Sequence, residues 1–237
     1  MATRNKLQKF AELLQMPNVY ECFDFMRPEL VGQHGVHVDL KGKWAMSHFG
    51  NNAPITLELA CGRGEYTVDL ARQYPGRSFI GVDIKGARIW KGARIALNEG
   101  LTNAAFLRTR IEGIDHFFTA QEVAEVWITF PDPFLKKGKS NRRLTAPRFL
   151  QRYRRILAKD GMIHLKTDSR ELYDWTLEIL EKQAAIQIEY YDHDIYAKPL
   201  PIPELNTETY YEKMHKDMGK TITYIRFRFV EGEEIKI

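Results

Sequence analysis

Apolar and polar positions change their period repeatedly along the 237 residues. From Ile55 onward, short apolar runs suited to buried strands alternate with stretches whose apolar residues recur every three or four positions. Ile55–Ala60, Ser78–Asp83, Ala104–Arg108 and Val123–Phe130 read as strands. Glu65–Gln73 and Arg88–Glu99 read as helices, stopped by Pro75-Gly76 and Gly100. A helix over Ala146–Ala158 carries Phe149, Tyr153 and Ile156 on one face. A strand over Gly161–Thr167, a helix capped by Asp168 or Ser169, and a strand over Ile186–Tyr191 follow. Asn206–Met218 reads as helical. In Thr221–Phe229, Ile225, Phe227 and Phe229 alternate with Arg226 and Arg228, as in a half-buried strand. The pattern predicts an α/β fold: a doubly wound, Rossmann-like seven-stranded sheet, mostly parallel, with the last strand antiparallel.

Residues 1–15 read as a short basic helix carrying Arg4, Lys6 and Lys9, with Leu7, Phe10 and Leu14 as its apolar face. Pro17, Pro28 and four glycines punctuate residues 16–52, which suggests an N-terminal extension (1–52) ahead of one α/β domain (53–237). No apolar run approaches the ~18–20 residues of a membrane span. No signal-peptide core is visible, and the two cysteines, Cys22 and Cys61, do not make a disulfide framework. A cytoplasmic protein, monomer or homodimer, is expected.

Charge changes the picture more. The net charge of +4 is modest, but Pro133 to Lys159 contains ten Lys or Arg and no acid, while the rest of the chain is net acidic. Such a local excess is the footprint of a phosphate-rich partner, although a solvated helix face has the same composition. The excess begins directly after Pro131-Asp132-Pro133-Phe134. Two prolines in three residues force the chain out of the sheet there and hold one carboxylate at a strand's C-terminal end, the edge where open α/β sheets bind ligands.

A second candidate lies upstream. Leu57-Glu58-Leu59 leads into Gly62-x-Gly64, a turn that lets a ligand approach the backbone. Thr67 stands where a dinucleotide fingerprint has its third glycine, which argues against NAD. Glu58, a carboxylate inside the strand, suits a cationic ligand rather than a pyrophosphate. Asp83 ends the next strand at the place from which an acid reaches ribose hydroxyls. A positively charged nucleoside without phosphates fits, and S-adenosylmethionine is one. Cys61 reads as a packing residue, and no His/Cys cluster suggests a metal.

These residues resemble the tRNA (guanine-N7)-methyltransferase family, a branch of the class I S-adenosylmethionine-dependent methyltransferases, over roughly residues 55–229. The resemblance is carried by Leu57-Glu58-Leu59 with Gly62-x-Gly64, Gly81-Val82-Asp83, and Phe130-Pro131-Asp132-Pro133-Phe134 with Lys136. Asn141-Arg142-Arg143-Leu144, Lys166-Thr167-Asp168 and Thr209-Tyr210-Tyr211-Glu212 complete it. It implies Glu58, Gly62, Gly64, Asp83 and Asp132 at the cofactor. It implies Lys136, Asp168 and Thr209, Tyr210, Tyr211 and Glu212 at the tRNA substrate, with Gly138–Arg143, including Arg142 and Arg143, in RNA contact. The target it implies is a guanine of the variable loop, position 46. Two positions depart from the family: Phe134 replaces a usual Trp, and Arg110 aligns with an acid that contacts adenine. An arginine cannot accept that bond, so either the backbone or Glu112 is left to serve.

Guanine N7 carries a free lone pair and no proton, so attack on a sulfonium methyl asks for alignment rather than for a base. Asp132, with Asp168 second, is placed to favour the positive charge that arrives on the base. Lys136 is placed to meet a phosphate, and Tyr210, Tyr211 or Phe134 to stack on a flipped base. An amino-group methyltransferase with an Asp-Pro-Pro-Tyr turn and a catalytically silent RNA-binding protein are the competing readings.

Overall fold

The computed structural model describes residues 6–236. The helix expected over residues 1–15 appears as α1 (Lys6–Leu13); Arg4 lies outside the described residues. Three short strands follow, β1 (Val19–Glu21), β2 (Leu30–Val31) and β3 (His37–Val38), and then a π-helical turn, Trp44–Phe49. The alternating region supplies β4 (Ile55–Leu59), α2 (Glu65–Gln73), β5 (Ser78–Asp83), α3 (Gly86–Asn98), β6 (Ala104–Arg108), a 3-10 segment (Ile111–His116) and β7 (Val123–Thr129). A second 3-10 turn (Lys137–Arg142) leads to α4 (Pro147–Ile156), β8 (Leu157–Thr167), α5 (Arg170–Glu181) and β9 (Ile186–Asp192). A 3-10 turn (Pro203–Asn206), α6 (Tyr210–Asp217) and β10 (Thr223–Phe229) close the chain.

All ten strands form one sheet in the order β3-β2-β1-β6-β5-β4-β7-β8-β10-β9. The seven strands β4 to β10 carry the expected arrangement: β6-β5-β4-β7-β8 pair in parallel, and β10 runs antiparallel to both β8 and β9. The sheet is wider than seven strands because β1 pairs in parallel with β6 and brings β2 and β3 with it. Irregular punctuation hid these strands, which are only two or three residues long.

Strand order reverses between β4 and β7, so the crevice at their C-terminal ends is the topological switch point. The Gly62 turn and the Asp132 turn leave the sheet from these two neighbouring strands.

Alternation along the strands divides the core. Leu57, Ile80, Val82, Leu107, Val126, Ile128, Ile163 and Leu165 face α4, α5 and the N-terminal segment, where Tyr20, Leu40 and Trp44 are buried. Phe79, Phe106, Trp127 and Tyr224 face α1, α2 and α3. Towards the strand ends that second face turns polar: Glu58, Thr129 and Lys166, on β4, β7 and β8, are all buried. α1 differs from its predicted face. Phe10 and Leu13 pack inward, whereas Leu7 and Leu14 are 78% and 42% exposed, because the helix ends at Leu13 and Leu14 lies beyond it. α4 stops two residues early, at Ile156, and β8 begins at once at Leu157.

Trp44 ties the N-terminal segment to the sheet. It is 0% exposed, its Nε1 donates to Phe117 O at 2.9 Å, and its ring stacks on Phe118 at 5.5 Å. Trp44→Ala is expected to cost about 3–5 kcal/mol of folding stability, read as a lower urea midpoint with an unchanged slope.

Candidate functional site

After β4 the chain turns through Ala60, Gly62 and Gly64, with φ of 59°, 56° and 67°. A Cβ on Gly62 would meet nothing nearer than Ala60 O at 4.0 Å, so this turn opens onto free space at the switch point. Asp83, 7% exposed, fixes the turn: its carboxylate accepts from Gly62 N at 2.9 Å and from Lys85 N at 2.8 Å. Ile84 follows it with its side chain 40% exposed.

Glu58 lies beneath the turn. Its Oε2 accepts from Thr67 N at 2.9 Å and from the Thr67 hydroxyl, and its Oε1 accepts from Thr129 Oγ1 at 2.9 Å. Thr67 thus has a use of its own at the third-glycine spacing. The close helix–strand approach that a glycine would allow is supplied from the other side by Gly81, where a Cβ would sit 2.8 Å from Thr67 Oγ1. Among the described residues no cationic side chain is bonded to Glu58, and burial pushes its carboxyl up to about 7.

The Asp132 turn is strained and braced. Phe130 and Phe134, which bracket it, have φ of 48° and 42°, a region bulky residues rarely enter. Phe130 N donates to Lys166 O at 2.8 Å. Arg143 donates from Nε to Pro133 O at 3.0 Å and from Nη2 to Phe134 O at 3.3 Å, and its guanidinium lies 4.6 Å from the Trp175 ring centre. The braced turn leaves Asp132 exposed, with one bond, from Phe134 N to Oδ1 at 3.2 Å.

α6 lies across the strand ends and connects the two turns. At its start Tyr210 N donates to Glu65 Oε2 at 2.7 Å, at the head of α2. Thr209 and Glu212 form a capping box, each accepting from the other's backbone N–H. One turn on, His215 Nδ1 lies 3.1 Å from Asp168, without hydrogen-bond geometry, and its ring is 6.0 Å from that of Phe130. Asp168 also pairs with Lys220 at 2.6 Å. Between the ends, Lys166 Nζ meets Glu212 Oε1 at 2.7 Å, both side chains being 0% exposed. The same ammonium donates to Leu205 O and Thr207 O, each at 3.1 Å, and Tyr196 OH donates to Glu212 Oε1 at 2.6 Å.

The basic window separates into two classes. Arg152 and Arg155 pair with Asp115, Lys159 pairs with Glu231, and Arg148 lies 3.9 Å from Glu112. Arg154 donates to Val230 O, and Arg143 is 6% exposed under the turn. Lys136, Lys137, Lys139 and Arg142 remain exposed on the loop after Asp132, with no acidic partner among the described residues.

The expected site residues therefore fall into distinct places. Asp83 bonds the Gly62 turn, and the Asp132 turn leaves the neighbouring strand at the same switch point, with Glu58 buried below. Lys136 and Arg142 stand on the open loop. Tyr210 and Tyr211 are 52% and 37% exposed on α6, whereas Thr209 and Glu212 face inward. Arg110 is exposed at the start of the 3-10 segment after β6, and Glu112 turns towards Arg148 on α4. Two groups with evident roles here were not singled out from sequence, Thr129 and the side chain of Lys166, and Thr67 was read only as a break in the dinucleotide fingerprint. The signal for the two strand residues was period two, since Glu58, Thr129 and Lys166 fall on the same face of adjacent strands.

A glycine turn open to a ligand, acids at its floor and rim, and an apolar Ile84 beside them fit a cationic nucleoside such as S-adenosylmethionine. Among the described residues no group of three or more His, Cys, Asp or Glu is placed to hold a metal ion. A family model described as a putative methyltransferase matches residues 52–225. A protein of Christiangramia forsetii named tRNA (guanine-N(7)-)-methyltransferase is 48% identical over 96% of this chain and 99% of its own length. A protein of the same name from Bacteroides thetaiotaomicron is 46% identical over 95% of this chain and 86% of its own. The chain belongs to this methyltransferase family. Among solved structures, an antibiotic-related methyltransferase superposes with a TM-score of 0.61 at 17% identity, covering 81% of this chain and 96% of that one. A 16S rRNA (adenine(1408)-N(1))-methyltransferase from Catenulisporales acidiphilia gives 0.56 at 14%, covering 84% and 95%. These two likenesses establish the fold.

Two outcomes test the buried polar row of this methyltransferase. The ordinary carboxyl value for Glu58 is 4.5 and its folded value about 7. Between those pH values the folded chain keeps a proton that the unfolded chain has lost, so stability falls as pH rises through the window and levels off above it. The Glu58→Gln variant lacks this slope. Its unfolding free energy relative to the parent is expected to grow by about 3 kcal/mol from pH 4.5 to 7.5. Lys166→Met leaves the Glu212 carboxylate buried without its cation and is expected to cost about 3–5 kcal/mol in urea unfolding at pH 7.

Proposed function

We propose that this methyltransferase transfers the methyl group of S-adenosylmethionine to N7 of a guanine in tRNA, in the variable loop at position 46, forming 7-methylguanosine. The observation that carries the proposal is the junction at Asp132. An exposed carboxylate, with one backbone bond among the described residues, leaves the strand next to that of the open glycine turn, and four cations with no acidic partner among the described residues follow it on one loop. The names of the relatives support the same reading. Residues 53–237 would form the catalytic domain, with 1–52 as its extension, working in the cytoplasm on tRNA.

The cofactor supplies an electrophilic methyl on a cationic sulfur, and in the transfer the N7 lone pair forms the N–C bond as the C–S bond breaks. Glu58, Asp83, Asp132 and the backbone at Gly62 and Gly64 would hold it. Arg110 would contribute backbone rather than side chain at the adenine, since Glu112 is engaged towards α4. No proton leaves the base, so Asp132 has no proton to accept. Its part is electrostatic: a fixed negative charge favours the guaninium that forms and can accept from the base's N1–H or exocyclic amine. Asp168, held by Lys220 and near His215, is the second such carboxylate.

Lys136, Lys137, Lys139 and Arg142 would draw the tRNA backbone towards this junction, with affinity that falls as salt rises. Arg143 acts from beneath, by holding the turn. Thr209 and Glu212 would act through the placement of α6, and Tyr210 and Tyr211 present the exposed rings.

Labelled methyl transfer to bulk tRNA tests the proposal. Incorporation is expected, and its loss is expected when the acceptor guanine is replaced by 7-deazaguanine; unchanged labelling would refute attack by N7. Asp132→Asn should lower the single-turnover rate at saturating tRNA by roughly 10²-fold while cofactor binding survives at least in part. A full rate in that variant removes Asp132 from the chemistry.

A further inference from the structure

A second ligand-sized cleft, of about 270 Å³, opens beside the glycine turn at the end of α6 away from Asp168. Arg63, Gly64, Val68, Ile95, Tyr210 and Lys213 give it its character. The guanidinium of Arg63, the residue between the two turn glycines, lies 5.0 Å from the ring centre of Tyr210. Tyr211 meets the same ring edge-on, with centres 5.7 Å apart. The platform is anchored, because Glu65 Oε2 holds Tyr210 N at 2.7 Å.

The acids around the cleft are already engaged. Asp69 pairs with Arg72, Glu208 with Lys216, and Glu65 with Tyr210 N and, at 3.8 Å, with Lys91. Arg63 and exposed Lys213 have no acidic ion-pair partner among the described residues. A planar cation and a half-exposed tyrosine over an apolar floor, with a spare ammonium at the rim, match the needs of one unstacked nucleotide. The base finds a stacking face and the phosphate a positive charge.

Position along α6 decides which nucleotide. Tyr210 and His215, the latter beside Asp168 and Phe130, are five residues apart, about 7.5 Å along the helix. A strand with its target guanine at the Asp132 junction therefore brings a neighbouring nucleotide to the Arg63–Tyr210 platform. We infer that this cleft is a subsite for a nucleotide adjacent to the methylated guanine, with Arg63 and Lys213 as its own residues; the inference rests on the tRNA reading above.

The test compares the full chain with Arg63→Ala, Arg63→Lys and Lys213→Ala, measuring tRNA affinity, methylation kinetics and cofactor affinity. Arg63→Ala is expected to weaken tRNA binding and raise the tRNA KM about tenfold, with kcat at saturating tRNA and cofactor affinity within twofold of the parent. Arg63→Lys should recover only part, because lysine keeps the charge and loses the plane. Lys213→Ala should reduce the slope of log affinity against log salt by roughly 0.7–0.9, one phosphate contact. An unchanged tRNA KM in Arg63→Ala overturns the subsite, as does a rise matched by an equal loss of cofactor affinity. Arg63-dependent tRNA binding by a parent chain that methylates no tRNA would support the subsite and sink the methylation reading. Methylation with Arg63-independent binding would do the reverse.

Discussion

The ammonium of Lys166 is buried completely, and its three donors go to Leu205 O, Thr207 O and the Glu212 carboxylate. Its own carbonyl receives Phe130 N, the first bond of the strained turn that presents Asp132. One residue of β8 thereby fixes, through opposite ends, both the turn that carries the exposed carboxylate and the segment that lays α6 across the strand ends. Burial holds its proton affinity below the usual lysine range, so the pair depends on Glu212 remaining in place. That dependence runs both ways: Glu212 takes one bond from Lys166, one from Tyr196 and one through the Thr209 capping box. α6, whose buried residue is Glu212, is held at the strand ends by charge and hydrogen bonds that reach down into the sheet.

The same logic divides the basic residues. Arginines on α4 are spent on the protein itself, Arg152 and Arg155 tying the helix to Asp115 of the 3-10 segment and Arg154 tying it to Val230 at the end of the last strand. Arg143 is spent beneath the Asp132 turn, where a planar fork can satisfy two carbonyls at once and still lie on Trp175. What remains exposed is a short loop of four cations, directly continuous with the carboxylate turn. Positive charge without an acidic partner among the described residues is therefore concentrated within a few residues of Asp132 instead of being spread along a helix.

Much of this was legible in the sequence because the strands from Ile55 to Thr167 alternate cleanly and their turns contain the residues that left-handed or sheet-leaving backbone demands. Gly62 and the two prolines around Asp132 could be read as site elements for that reason. What was not legible has two physical causes. β1, β2 and β3 are too short to show a period, and they exist because β6 offers an open edge to pair with. The composition of the basic window showed charge but not its partners. Asp115 and Glu231 lie far from their arginines and lysine in sequence, and Arg143 reads as one more exposed cation until its two carbonyl acceptors are seen. Likewise the bonds of Glu58 to Thr67 and Thr129 could not be read from its place in the strand.

That placement gives Glu58 a longer-range part in the proposed chemistry. A carboxyl poised near neutrality is the group most easily shifted by one nearby charge, because either protonation state is within reach. A cationic cofactor held at the Gly62 turn would favour the ionised form. In the proposed transfer that charge would pass from the cofactor to the base. The carboxylate at Asp132, exposed and singly bonded, is free to attend to the base.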